Sequence, residues 1–416
     1  MKEPTDIETI IHRYGFPLYL YNEQTISEQL TTLQQSLPDF SICYSIKTNP
    51  NIHICSYMKT RGLGADAASA NEVLLAHKVG FSRNDIFYSA PGKTTEDISK
   101  TLDKCIIVAD SYNELAMINE VSSKLNVRAK VGLRINPNYS FSAGSAPQAM
   151  PGIPSKFGVD EERLLESKPF FDNLKFVEIS GIHVYLRSQI LDHKVIYFYL
   201  KSIFELAEFC TSQLNWDLSF VDFGGGFGIP YSEHDTPLDW ETLKPMVRDL
   251  VSSQKIIQKD KVRLIIESGR FLVSAAGTYI TKIVDIKVSR GSKFLIVHGG
   301  MNGFFRPVFQ NIISQFPISV QMDKTLEPLF SFLSACEVAI PSKAGQPQEI
   351  VSVVGNLCTG IDVLAKDVYL PHPEIGDIVS LNNAGAYAYT LTPSAFASHP
   401  IAKEIYLDSN GRILEI

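Results

Sequence analysis

An α/β architecture, a (β/α)8 TIM-type barrel followed by a second, mainly β domain, is predicted for this chain by three observations. Eight short β-type runs recur between residues 40 and 270, and helical patterns separate most of them. Beyond Gly277 the rhythm changes to consecutive β runs without regular helices between them. With 416 residues, 45% hydrophobic and 20% charged, the chain can fill both a large barrel and a smaller domain.

Taken in order, a helix-like opening leads to Phe16 to Tyr21, which reads as a strand, and to Glu23 to Leu37, which reads as an amphipathic helix. The barrel runs are Phe40 to Lys47, Gly62 to Ser69, Ile86 to Pro91, Cys105 to Asp110, Lys130 to Pro137, Ser180 to Gln189, Phe220 to Gly226 and Arg263 to Arg270. Barrel chemistry sits at the carboxyl ends of such strands. Asn138 to Ser155 is rich in Ser, Gly, Ala and Pro and has no helical period, which predicts a mobile loop near the mouth of the site. Tyr279 to Lys287, Lys293 to Val297, Ile350 to Val354 and Ile378 to Leu381 carry the second domain, joined by the strand near Tyr19. The expected division is a barrel over residues 25–277 and a β-rich unit made of 1–24 plus 278–416.

A formal charge of −7 argues against nucleic acid or an anionic membrane as the main partner. The six cysteines (Cys43, Cys55, Cys105, Cys210, Cys336, Cys358) show no CxxC spacing, so neither a disulfide framework nor a zinc site is expected. The acidic start Met1 to Asp6 lacks the apolar core of a signal peptide, and no later run is long enough to span a bilayer. The expected compartment is the cytoplasm.

Three positions carry chemistry. Phe40 to Lys47 reads as a buried strand ending in an amine, stopped by Asn49-Pro50. Partial desolvation lowers the pKa of such a lysine and makes it a Schiff-base nucleophile, although the stretch alone favours a solvated strand end. Asp222-Phe223-Gly224-Gly225-Gly226-Phe227-Gly228 closes the seventh barrel run, where bare backbone amides approach a phosphate closely; a tight turn is the plainer reading. Glu267 follows the apolar Leu264-Ile265-Ile266 and needs a cationic partner, either Arg270 or a cofactor's pyridine nitrogen. A strand-end lysine, a glycine cradle and a strand-end glutamate together are what pyridoxal 5′-phosphate requires.

The chain also resembles the fold type III pyridoxal-phosphate decarboxylases, the group containing diaminopimelate and ornithine decarboxylases. The resemblance rests on Tyr44 to Lys47, Gly64 to Ser69 with Asp66, His183 to Gln189 with Tyr185 and Ser188, Gly224 to Gly228, Glu267 to Arg270 with Gly269, Gly300 to Asn302, Cys358 to Asp362, and Gly385 to Tyr387. It implies that Lys47 carries the cofactor, that Gly224, Gly225, Gly226 and Tyr387 bind its phosphate, and that Glu267 pairs with its ring nitrogen. It further implies a homodimer in which Cys358 enters the partner subunit's site and protonates the product carbanion. Alone, Cys358 reads as a small buried hydrophobe.

Departures from the family pattern bear on substrate. Tyr185 stands where the family usually has a histidine stacked on the ring, and an aromatic face still stacks. Ser268 replaces a proline. Thr359 follows Cys358 where amino-acid decarboxylases place an acid for the substrate's distal ammonium, so that amine is expected to be absent or acylated. Arg270 and Arg306 match positions that bind a distal carboxylate in diaminopimelate decarboxylases, while Gln310 replaces a tyrosine. These features, with Gly355 to Thr359, Asp362, Ala384 to Tyr387 and Ser398 to Pro400, are similar to the siderophore-pathway branch that decarboxylates citryl adducts of diamino acids. Thr359 also occurs in the branch acting on glutamyl groups attached to a carrier protein. The remaining rivals are a diaminopimelate decarboxylase, an amino-acid racemase and an inactive regulator; retention of Lys47, Glu267 and Cys358 counts against the last.

Overall fold

The computed structural model describes residues 7–138, 154–185, 187–231, 235–255, 262–315 and 336–415. Most of the predicted loop, residues 139–153, lies outside the described residues.

The first strand, β1 (Leu18–Asn22), runs directly into helix Glu23–Ser36, where the Asn22 side chain accepts the Gln24 and Thr25 amides and caps the first turn. The barrel follows as β2 (Ser41–Ser45), β3 (Gly64–Ala67), β4 (Ile86–Tyr88), β5 (Ile106–Ala109) and β6 (Ala129–Asn136). A two-residue β7 (Val159–Asp160) pairs at the edge of β6, and then come β8 (Val177–His183), β9 (Phe220–Asp222) and β10 (Arg263–Ser268). Neighbours pair in parallel in the order β5-β4-β3-β2-β10-β9-β8-β6, and the β5–β6 pairing closes the circle. Parallel pairing with intervening helices, such as Ile52–Thr60, Ala70–Val79 and His193–Gln213, is the (β/α)8 arrangement expected.

The barrel interior is filled by side chains. Phe87 and Phe220 meet edge-on at 5.2 Å and pack with Cys43, Val108 and Ile265. Phe220 needs its neighbour on β8 to have no side chain, since a Cβ on Gly181 would overlap its ring. This plug lies below the residues that carry chemistry.

The second sheet has the order β15-β14-β12-β11-β1-β17-β18, built from β11 (Gly277–Ser289), β12 (Ser292–Val297), β13 (Val338–Ala339), β14 (Gln348–Val354), β15 (Val363–Pro371), β16 (Ile378–Leu381), β17 (Lys403–Leu407) and β18 (Ile413–Glu415). β16 also pairs with β11 and with β13. As expected from the strand near Tyr19, β1 belongs here, antiparallel to β11 and parallel to β17. Tyr19 fastens it to the following segment by donating to the Gly303 carbonyl and packing on Tyr279 and Phe304. One expectation is corrected: the second region is not free of regular helices, because Phe305–Gln315 intervenes between β12 and β13. Val308 and Ile312 of this helix, with Phe304 just before it, recur at helical spacing and pack into the core.

Candidate active site

Lys47 stands one turn past β2, on the 3-10 turn Ile46–Thr48 rather than in the strand. Asn49-Pro50 ends the extended run there, and the Tyr387 amide donates to the Thr48 carbonyl at 3.0 Å, tying the turn to a loop of the second domain. Lys47 Nζ donates to Asp66 Oδ2 at 2.8 Å, and Ser89 Oγ donates to Asp66 Oδ1 at 2.8 Å. The expectation of a depressed lysine pKa is corrected by this pair. Burial does pull the amine down, but Asp66 and then Glu267 outweigh it and hold Lys47 well above the ordinary lysine value. Burial likewise pushes Asp66 up, and Lys47 more than offsets that, leaving the carboxyl below its ordinary value. Asp66 is wholly buried while 36% of the Lys47 side chain is accessible, so the amine is the exposed member of the pair. Asp66→Asn should therefore lower the Lys47 pKa. The pH dependence of Lys47 labelling by an amine-reactive reagent, read by peptide mass, measures this, and an unmoved midpoint would remove Asp66 from control of the amine.

Glu267 is the fifth residue of β10 and is buried. Its Oε1 lies 3.2 Å from His183 Nε2. Arg270, offered by the sequence as its salt-bridge partner, instead directs Nη1 to the Tyr231 hydroxyl at 2.7 Å and Nη2 to Ser188 Oγ at 3.3 Å. His183 therefore supports Glu267 from within the barrel instead of forming a wall of the cleft.

Ser45, Lys47, Tyr185, Ser188, Gly225, Gly226, Phe227, Glu267, Ser268, Gly269, Arg270 and Tyr387 line one cleft. β9 ends at Asp222, so the glycine cluster is a loop rather than strand. Gly226 has φ +111°, and a Cβ there would collide with the Arg187 carbonyl oxygen. The tight turn and the cradle are thus the same feature, since the approach that excludes a side chain also brings bare backbone to the cleft wall. Tyr387 has φ +51°, and the Arg270 guanidinium lies 4.9 Å from its ring centroid.

The remaining predicted residues are distributed differently. Arg306 is buried, with Nη1 donating to the Ala386 carbonyl at 2.8 Å and Nη2 donating to the Asn383 carbonyl. It braces the loop that carries Tyr387. Gln310 lies one turn further along the same helix and is partly exposed. Asp362 is buried and accepts the Met301 amide at 2.6 Å and the Leu357 amide at 3.0 Å. It closes the Gly355–Asp362 loop onto the Gly300 turn and is not on the cleft wall. Cys358 is exposed and Thr359 half-buried, and neither lines the cleft of its own chain.

Two neighbours escaped the sequence reading. Asp222 stands two residues before Gly224 and lies beside Glu267 and His183. Tyr231, buried, receives Arg270 Nη1 at 2.7 Å and Arg306 Nη1 at 3.4 Å; burial raises its hydroxyl, and the two guanidiniums more than reverse this, leaving it below the ordinary tyrosine value. Asp222 was legible as the polar end of an apolar run, whereas only the fold brings Tyr231 to two arginines.

An amine, a buried carboxylate and a glycine loop at the carboxyl end of a parallel barrel define an enzyme site of the pyridoxal-phosphate type, and the donor set fits that cofactor. The chain belongs to the family described as "Pyridoxal-dependent decarboxylase, pyridoxal binding domain", which matches residues 23–274. It is a pyridoxal-phosphate-dependent carboxy-lyase. The L-glutamyl-[BtrI acyl-carrier protein] decarboxylase of Niallia circulans is 33% identical, covering 98% of this chain and 92% of that protein. The diaminopimelate decarboxylase of Aquifex aeolicus is 29% identical over 99% and 91%. Among solved structures, Helicobacter pylori diaminopimelate decarboxylase complexed with L-lysine has a TM-score of 0.82 at 25% identity, covering 99% of this chain and 95% of that one.

Proposed function

We propose that the chain removes the α-carboxylate of an amino acid whose distal amine is capped by a polycarboxylate, such as citryl-ornithine or citryl-diaminopropionate, in siderophore assembly. The observation that carries this is Thr359, a neutral residue beside Cys358 where a free distal ammonium needs an acid. Arg270 lies on the cleft wall, and its fork suits a carboxylate of the cap once it exchanges its Tyr231 and Ser188 partners for the ligand.

When bound, pyridoxal phosphate supplies the sink for the electrons released as carbon dioxide leaves. Lys47 would hold the cofactor and yield it to the substrate amine, with Asp66 ready to keep the freed lysine protonated. Glu267 would keep a proton on the cofactor's ring nitrogen, and Tyr185 would offer it an aromatic face. The amides of Gly225 and Gly226, with Ser188, Gly269 and Tyr387, would take the phosphate. Exposure of Cys358 outside its own cleft supports a homodimer in which Cys358 of the partner subunit delivers the proton from Sγ to the reacting carbon.

A second reading, decarboxylation of a glutamyl group on a carrier protein, is favoured by the 33% identical relative, which bears that activity in its name. The internal engagement of Arg306 weakens its use as a second polycarboxylate ligand and so narrows the gap between the two readings. The test is product mass after separate incubation with citryl-ornithine, citryl-diaminopropionate, meso-diaminopimelate and carrier-bound glutamate. Loss of carbon dioxide from a citryl adduct alone is expected. Turnover of diaminopimelate alone would overturn the Thr359 argument, and turnover of the carrier-bound group alone would select the second reading. Thr359→Glu should raise the ratio of free diamino acid to capped substrate by ~10-fold or more.

A further inference from the structure

We propose that Asp222 is a positioning residue that remains a neutral acid and donates its proton to Glu267, so that Glu267 is gripped by Asp222 and His183 together. Its consequence for catalysis rests on the decarboxylase reading above; the location of the proton does not. β8, β9 and β10 are adjacent, with His183 paired to Asp222 and Asp222 to Ile265, so Glu267 falls two residues further along the same face. One side-chain oxygen or nitrogen from each of the three lies within 4.8 Å of the others. All three are buried, Asp222 completely.

Asp222 Oδ1 accepts the Gly224 amide at 2.9 Å, and Oδ2 has no partner among the described residues. A buried carboxylate oxygen with no donor is unfavourable, whereas a carboxylic acid hydroxyl needs only an acceptor. The groups facing Asp222 are Glu267 from β10, His183 from β8, Asp66 from β3, Cys43 from β2 and Lys47 just beyond β2. The lysine in this set is already paired with Asp66. Two carboxylates in so small and dry a space do not both ionise. Glu267 is the one bonded to His183 and lining the cleft, which leaves the proton on Asp222. Consistently, burial first and the Glu267 charge second push the Asp222 carboxyl well above its ordinary range. Held by the Asp222 proton and by His183 at 3.2 Å, Glu267 remains on the cleft wall.

The decisive experiment is infrared spectroscopy of the purified protein in heavy water near neutral pH, compared with Asp222→Asn, which preserves shape and a donor. The parent should show a protonated-carboxyl carbonyl band that the variant lacks; a missing band in the parent overturns the proposal. Because no substrate is involved, a protein with this band that turns over none of the compounds tested would count against the functional reading alone. In turnover, Asp222→Asn should stay close to the parent. Asp222→Ala should lower kcat by ~10–100-fold at similar KM and shift the pH at which the bound cofactor's absorption changes. An Asn variant as damaged as the Ala variant would make Asp222 an essential anion, and a harmless Ala variant would remove the positioning role; either outcome overturns the proposal. If Ala fails to fold, the infrared comparison still decides.

Discussion

Lys47→Ala is expected to lose turnover by roughly 10⁴-fold or more, together with the absorption of covalently attached cofactor. Lys47 is the amine that the geometry brings into a cleft shared with Glu267 and the glycine loop, so no neighbouring residue supplies the same attachment. The substitution has a second consequence, in stability. With the lysine present, Asp66 has its carboxyl below the ordinary range and contributes stability above the unfolded aspartate pKa. Without it, the same buried carboxyl keeps only the hydroxyls of Ser89 and Ser45 against the pull of burial, the largest influence on it, which raises its pKa above the unfolded value. The sign then reverses: the folded state retains a proton the unfolded state has lost, so stability falls as pH rises through and beyond the ordinary aspartate range. The deficit in Tm of Lys47→Ala against the parent should therefore widen from acid toward neutral pH. Turnover close to the parent would sink the assignment of Lys47, and a deficit independent of pH would show that Asp66 does not depend on it.

The barrel was legible because parallel strands buried on both faces write themselves as short apolar runs, and each predicted run overlaps an observed strand, although β6 and β8 begin before theirs. Boundaries were read too long at the carboxyl ends: Phe220 to Gly226 holds a strand of only three residues, since Gly224 adopts φ +61° and leaves the sheet. β15, β17 and β18 were missed because their exposed residues interrupt the apolar pattern; β15 and β18 pair with their neighbours in sequence, β14 and β17, while β17 depends on the distant β1. Chemistry that sits in one side chain was readable, as Lys47 and Glu267 show. Chemistry that arises between side chains was not: the sequence placed Lys47 in an apolar strand and so predicted a lowered pKa, but the sign is set by Asp66, on a neighbouring strand. Arg306 is the converse case. Its residue type suggested a carboxylate ligand, and the fold surrounds it with the carbonyls of Ala386 and Asn383.

Glu267→Gln should retain the fold and the attachment of cofactor while lowering kcat by ~10²–10³-fold with little change in KM. The amide keeps an acceptor for His183 Nε2, 3.2 Å away in the parent, so the buried imidazole does not lose its partner. What would disappear is the negative charge proposed to keep a proton on the ring nitrogen of bound pyridoxal phosphate, and with it the electron-withdrawing power decarboxylation would need. The same charge acts on two neighbours, with signs that follow from their own. Lys47 loses one of the two carboxylates that raise its pKa and keeps the stronger, Asp66, so its pKa should fall only in part. Asp222 loses the like charge that, after burial, pushes its carboxyl up, so its pKa should fall as well. Kinetics across pH, the absorption of the loaded variant and the labelling midpoint of Lys47 read these effects separately. A variant that fails to load cofactor and melts far below the parent would make Glu267 a structural support for His183. One that loads and turns over normally would show that the ring nitrogen is held by something other than Glu267.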